Sequence, residues 1–191
     1  METGVHSNRG YRGSLSARDT RQTVAIRWWH SVLLGMALVI VASSAWAGEL
    51  SLLINGYTHH INPPEAYHYN ERNWGGGFQY DYDRVYGSWV PFIAASGLRD
   101  SFRENSYYAG GGMQRRFEVS PSLDNLHVDL GLVAFVMTRK DIDNNHPFLG
   151  LLPAATIGTD HVSLNITYVP PVHPKLIPLW FFQLKVPLKK F

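Results

Sequence analysis

Ser101, Asp100 and the adjacent pair His59-His60 are the residues of this chain best suited by type to activate a nucleophile. A serine hydroxyl attacks only when a base takes its proton, and a histidine base works only when a partner holds its ring. Surface loops often carry Ser, Asp and His, so the trio matters only if the fold gathers it. Other chemistries are excluded more firmly. The 191 residues include no Cys, which removes a thiol nucleophile, a disulfide scaffold and thiolate metal sites. There are nine His, but His59, His60 and His68 lack the spacing of a zinc site, so no metal and no other cofactor is expected. Gly75-Gly76-Gly77 is followed by neither Lys-Ser/Thr nor a helical pattern, so it is not a phosphate loop. A net charge of +2 gives no electrostatic support for nucleic-acid binding.

The elements that must position these residues are strands. From residue 48 onward, hydrophobicity alternates with period two rather than 3.6. Leu126, Val128, Leu130, Leu132, Ala134 and Val136 share one face, with His127 and Asp129 opposite. Val162 to Tyr168 and Trp180 to Leu188 repeat the pattern. Turn residues between such runs give eight candidate strands, at 50–60, 73–82, 89–98, 104–117, 126–138, 151–159, 161–169 and 178–188. Most approach the length of about 9–11 residues that a tilted membrane strand needs. Eight antiparallel strands close a small barrel with both termini at one end. Alternation does not say which face is outermost, and a soluble barrel of the lipocalin kind would turn the apolar face inward. Aromatic residues at 13 %, suited to interfacial girdles, and the terminal Phe191 favour the membrane. The predicted fold is therefore an all-β, eight-stranded antiparallel outer-membrane barrel.

Such a barrel is just wide enough to be packed or to hold one slender ligand. The predicted inner face of the fifth strand runs His127, Asp129, Gly131, Val133, Phe135, Met137, polar at one end and apolar at the other. Small residues at 94–97 and 109–112 would leave room for an acyl chain, or equally for close strand packing. With both termini in the periplasm, the first strand rises to His59-His60, and the link between strands three and four lies at the same rim. Topology thus gathers His, Asp100 and Ser101 at one end.

A leader precedes the barrel. Residues 1–30 carry Arg9, Arg12, Arg18, Arg21 and Arg27, then comes a short apolar run from Val32 to Ala42, then Ala45-Trp46-Ala47. A basic region, a short apolar region and an A-x-A end describe a secretory signal peptide. We expect residues 1–47 to be that signal peptide with a long basic leader, and 48–191 to be the barrel domain.

The stretch Tyr69-Asn70-Glu71-Arg72-Asn73-Trp74-Gly75-Gly76-Gly77-Phe78 resembles the Y-N-E-R-x-W-G-G-G-F signature of the lipid A palmitoyltransferase (PagP) family. Arg99-Asp100-Ser101-Phe102 is similar to that family's K-D-S-W, and Thr167-Tyr168-Val169-Pro170 to its T-Y-I-P. His127, Leu130, Gly131 and Leu132 match its H-x-G-L-G-F strand, and Pro147 and Leu151-Leu152-Pro153 stay in step. The resemblance implies an outer-membrane enzyme that moves a palmitoyl chain from a phospholipid to lipid A, as a monomer, without cofactor. It implies His60, Asp100 and Ser101 as catalytic residues, with His60 as base, Ser101 as activated or polarising hydroxyl and Asp100 orienting or balancing charge; His59 is the fallback. It implies an acyl pocket at Gly112, with Met113 following, and lateral lipid access at Pro147, Pro153 and Pro170. Departures are the absent amphipathic helix before the first strand, Asn73 where the family has Pro, and Ile54-Asn55 before the first-strand His. They leave an alternative open, a catalytically silent barrel that binds lipid or a partner protein.

Overall fold

The computed structural model describes residues 47–64, 68–172 and 177–191. The predicted leader lies outside the described residues, apart from Ala47. Eight antiparallel strands close on themselves in sequence order. They are β1 (Gly48–His60), β2 (Arg72–Tyr82), β3 (Trp89–Arg99), β4 (Asn105–Ser120), β5 (Leu126–Thr138), β6 (Pro147–Gly158), β7 (Ser163–Val169) and β8 (Leu179–Lys190). A single helical turn, α1 (Lys140–Asp143), sits in the β5–β6 connection. β1 pairs with both β2 and β8, which leaves no free sheet edge there.

Closure settles which face is out. Leu130, Leu132 and Val136 are exposed, whereas His127 and Asp129 are buried. The apolar face predicted from β5 is therefore the outer one, as in a membrane barrel and opposite to a soluble carrier. Trp74, Tyr57, Tyr107, Trp89 and Phe117 add exposed aromatics to this surface.

The interior has two halves. Away from the rim it is a polar plug: Lys185 Nζ donates to Asp81 Oδ2 at 2.8 Å, and Gln79 Nε2 to Asp81 Oδ1 at 2.6 Å. Asn165 Nδ2 donates to Gln79 Oε1 at 3.0 Å, and Thr156 Oγ1 to Asn165 Oδ1 at 2.9 Å. Arg116 grips Asp129 through two bonds of 2.8 and 2.7 Å. Such buried charges persist because each is paired. Toward the rim, Ala94, Val133, Phe135, Met137 and Leu152 replace the polar groups and line a cavity.

Two irregularities matter for the site. In β1 the register shifts between Asn55 and Tyr57 against both neighbours, a bulge at Gly56. Buried positions run Ser51, Leu53, Asn55, then Thr58 and His60. The extra residue flips the parity of the strand. The second irregularity is a seam. β6 pairs with β5 along its whole length, from Pro147 to Gly158, but with β7 only from Ala154 to Gly158. Among the described residues, the rimward part of β6 has no ladder partner on the β7 side. The strand also starts earlier than the predicted 151, since proline is tolerated as the first residue of a strand or where no neighbour needs its N–H.

Candidate active site

His60 ends β1, and the Gly56 bulge turns it inward while His59 is exposed outside. Its Nε2 lies 3.0 Å from Ser101 Oγ. Both residues are buried, at 5 % and 7 % exposure. The imidazole stacks on Tyr69, with ring centroids 4.7 Å apart, and Tyr69 meets Phe102 edge-on at 5.4 Å. The histidine ring is thus fixed on one face by an aromatic and at one nitrogen by the serine.

The Asp100 carboxylate turns to its own loop rather than to His60. Its Oδ1 accepts from the backbone N–H groups of Phe102 (2.9 Å) and Glu104 (3.0 Å), and its Oδ2 accepts from Ser106 Oγ (2.9 Å). The Asp100 N–H donates to the Glu104 carbonyl at 2.8 Å, and Arg103 takes a left-handed φ of 64°. The carboxylate is saturated by the tight turn between β3 and β4, so orienting His60 is not its contact. It holds the turn that presents Ser101. Asn70 braces the same turn, its N–H donating to the Ser101 carbonyl at 2.8 Å and its Nδ2 to the Asp100 carbonyl at 3.2 Å.

Among the described residues, the carboxylate within 4.0 Å of the imidazole is that of Glu71, with Oε1 3.8 Å from Nδ1. Glu71 precedes β2, and Tyr57 Oη donates to its Oε2 at 2.8 Å. That hydroxyl, more than the nearby histidines, holds the Glu71 carboxyl below its ordinary value. Sequence reasoning did not single out Glu71, Asn70, Tyr57 or Tyr69 individually. Their membership in the Tyr69-to-Phe78 stretch was the available signal for three of them.

Ser101, Asp100 and Thr58 stand at the mouth of a cavity of about 520 Å³. That volume falls within the range of about 300–1,000 Å³ usual for small-molecule sites. Its walls are chiefly apolar and its floor is the polar plug at Gln79, Gln114 and Asn165. Gly112 faces inward, but Phe92 covers it: a Cβ added there would lie 2.7 Å from the Phe92 ring and 2.2 Å from the Leu132 carbonyl oxygen. Met113 is exposed on the outside and does not line the cavity, which corrects its assignment to the acyl pocket. Alternation in β4 requires this, since Gln114 on the next position is buried.

The cavity also opens sideways. Leu149 and Leu151, exposed on the outer surface, line it together with inward Leu152 and with Val169, Pro170 and Val172 across the seam. Pro153 sits next to the last β6–β7 pair, Pro147 begins the unpaired stretch, and Pro170 follows the end of β7. None of the three can donate a backbone N–H to close the gap.

A family model described as "Antimicrobial peptide resistance and lipid A acylation protein PagP" matches residues 41–181. The chain belongs to the PagP family. Within it, the lipid A palmitoyltransferase PagP of Escherichia coli K12 is 37 % identical over 103 residues, covering 53 % of each chain. The lipid A acyltransferase PagP of Musicola paradisiaca is 33 % identical over 105 residues, covering 55 % of this chain and 54 % of the relative. The chain spans about half the length of these curated PagP relatives. The solved backbone of the Yersinia pestis outer membrane protein Ail aligns with a TM-score of 0.40 at 13 % identity, covering 74 % of this chain and 99 % of that one, too distant to add to the argument.

Proposed function

We propose that this PagP-family barrel resides in the outer membrane and transfers a palmitoyl or similar chain from a phospholipid to lipid A, with His60 and Ser101 at the reacting ester. One observation carries the reading. A buried His–Ser pair at 3.0 Å presents its serine to an apolar cavity that also opens sideways through an unpaired seam. A lipid enters through the seam at Pro147, Pro153 and Pro170 and threads its chain into the cavity. Its ester then comes to rest beside the pair.

In this reading the Ser101 hydroxyl turns from His60 to the ester carbonyl oxygen and stabilises the negative charge that develops there. A hydroxyl of lipid A attacks the carbonyl carbon, and its proton passes to His60 Nε2. The bond to the glycerol oxygen breaks, and that oxygen takes the proton back from His60. Acyl lipid A and a lysophospholipid leave, with no cofactor consumed.

The test is acyl transfer by the protein recovered from bacterial membranes in detergent, with phosphatidylcholine carrying labelled palmitate as donor and lipid A as acceptor. Label should move to lipid A, and Ser101→Ala and His60→Ala should each slow transfer about 100-fold or more. A folded barrel that leaves the label on phospholipid would point instead to a silent, lipid-binding member of the family.

A further inference from the structure

We infer that Glu71, locked by Tyr57, is the positioning carboxylate of His60, taking the place that residue types alone give to Asp100. The inference rests on the reading of His60 as the base. Its geometry is independent of the substrate. A histidine that receives a proton at Nε2 must carry its other proton on Nδ1, and the resulting imidazolium needs a negative partner on that side. Nδ1 of His60 is buried and has no hydrogen-bond partner among the described residues, so it is the nitrogen still to be satisfied. Glu71 Oε1 is 3.8 Å from it, one small adjustment short of a hydrogen bond. The other oxygen of Glu71 is held by Tyr57 Oη, which aims the carboxylate across the end of β1. Asp100 cannot serve without abandoning two backbone N–H groups and the Ser106 hydroxyl. Apart from Glu71 and Asp100, the ionisable groups around the ring among the described residues are Arg139 from the β5–β6 connection and neighbouring His59. Both are cationic or neutral and cannot steady an imidazolium.

Tyr57 is on the β1 face opposite His60 in alternation, yet it reaches Glu71 because the Gly56 bulge resets the strand between Asn55 and Tyr57. The same bulge turns His60 inward. Base and positioning acid are thus set by one irregularity of one strand.

The experiment compares the full-length protein with Glu71→Gln, Glu71→Asp and Tyr57→Phe in detergent micelles. The His60 titration is followed by NMR of ¹⁵N-histidine, and acyl transfer is measured on the same samples. Removing a carboxylate beside an imidazolium lowers its titration midpoint, by about half a pH unit or more at this range. Glu71→Gln should therefore shift the His60 midpoint down and lower kcat at least about tenfold with KM within twofold, since positioning acts on the base rather than on lipid binding. Glu71→Asp should recover part of both losses. Tyr57→Phe keeps the charge but frees it, so it should show a smaller shift of the same sign, and it serves if Glu71→Gln fails to fold. An unchanged midpoint with kcat within twofold overturns the inference. A midpoint that moves in a protein whose unmutated form transfers no acyl chain retains the pairing and removes the acyl-transfer reading instead.

Discussion

At the scale of single residues, the rim is built by groups that never need to touch a lipid. Asp100 satisfies two backbone N–H groups and the fully buried Ser106 hydroxyl, so Asp100→Ala strands three donors at once. A buried donor left unpaired costs about 1–3 kcal/mol. We expect this variant to free the β3–β4 turn while the barrel remains closed, and to lose acyl transfer with it. Amide hydrogen exchange at Phe102 and Glu104 should rise sharply; unchanged protection would refute a turn-holding role. Glu71 makes a prediction about pH. Because Tyr57 holds its carboxyl below the ordinary 4.5, whatever stability it lends is fully present above that value and drains away as pH falls through the lower folded one. Tyr57→Phe should move the Glu71 titration, read by carboxyl ¹³C shifts, back up toward the ordinary value.

At the scale of elements, the Gly56 bulge decides which histidine faces Ser101. Ser51, Leu53 and Asn55 put odd residues inside, so strict alternation carried to the strand's end would have placed His59 inward. Deleting Gly56 removes the extra residue itself, so plain alternation from Asn55 still brings Thr58 and His60 inside, and the variant should close its barrel and keep transfer. A folded deletion variant that loses transfer because His60 has turned outward would refute the reading of Gly56 as the extra residue. The bulge also marks the limit of what the sequence discloses. Period two revealed the strands, and their order placed His60, Asp100 and Ser101 at one rim. It did not reveal Gly56 as an extra residue, because a glycine inside a strand signals a bulge, a bend or close packing alike. Nor did it reveal Glu71 as a neighbour of His60, because that contact depends on the path of a loop and on Tyr57 across the bulge. The start of β6 was hidden for a related reason: Pro147 and Gly150 punctuate like a loop, and the chain is a strand there only because β5 pairs with it throughout. A cavity was legible in outline from its small residues, but Phe92 and Phe135, whose rings fill the space above Gly112 and Gly150, set its shape. Phe92→Ala should therefore widen the acyl lengths accepted. Gly112→Ala, meeting a backbone oxygen as well as that ring, should destabilise the barrel before it shortens the chain.

For the whole molecule, the division of the interior into a polar plug and an apolar cavity means that a lipid chain has one way to go. The plug pairs Asp81 of β2 with Lys185 of β8, and Asp129 with Arg116 on the neighbouring strand, and an acyl chain pushed into it would have to break buried ion pairs. Above the plug, the longest gap between neighbouring described strands lies between β6 and β7, where pairing stops at Ala154 and Thr167. Entry through the open rim alone would oblige the acyl chain to cross water, whereas entry through the seam keeps it in contact with lipid or protein throughout. Extending the register by two residues sets Leu152 opposite Val169, both lining the cavity. The chain has no Cys of its own, so the double variant Leu152→Cys, Val169→Cys holds the sole thiols. Directly opposed strand residues come within reach of a disulfide once the seam closes. Oxidation should stop transfer, a thiol reductant should restore it, and neither single variant should respond. If the oxidised double variant works as fast as the reduced one, with the disulfide confirmed by mass, lipid reaches the pair by another route and the seam is only an interruption of the ladder. If it stops, the prolines that keep β6 from pairing with β7 are as much part of the reaction as the histidine and serine at its end.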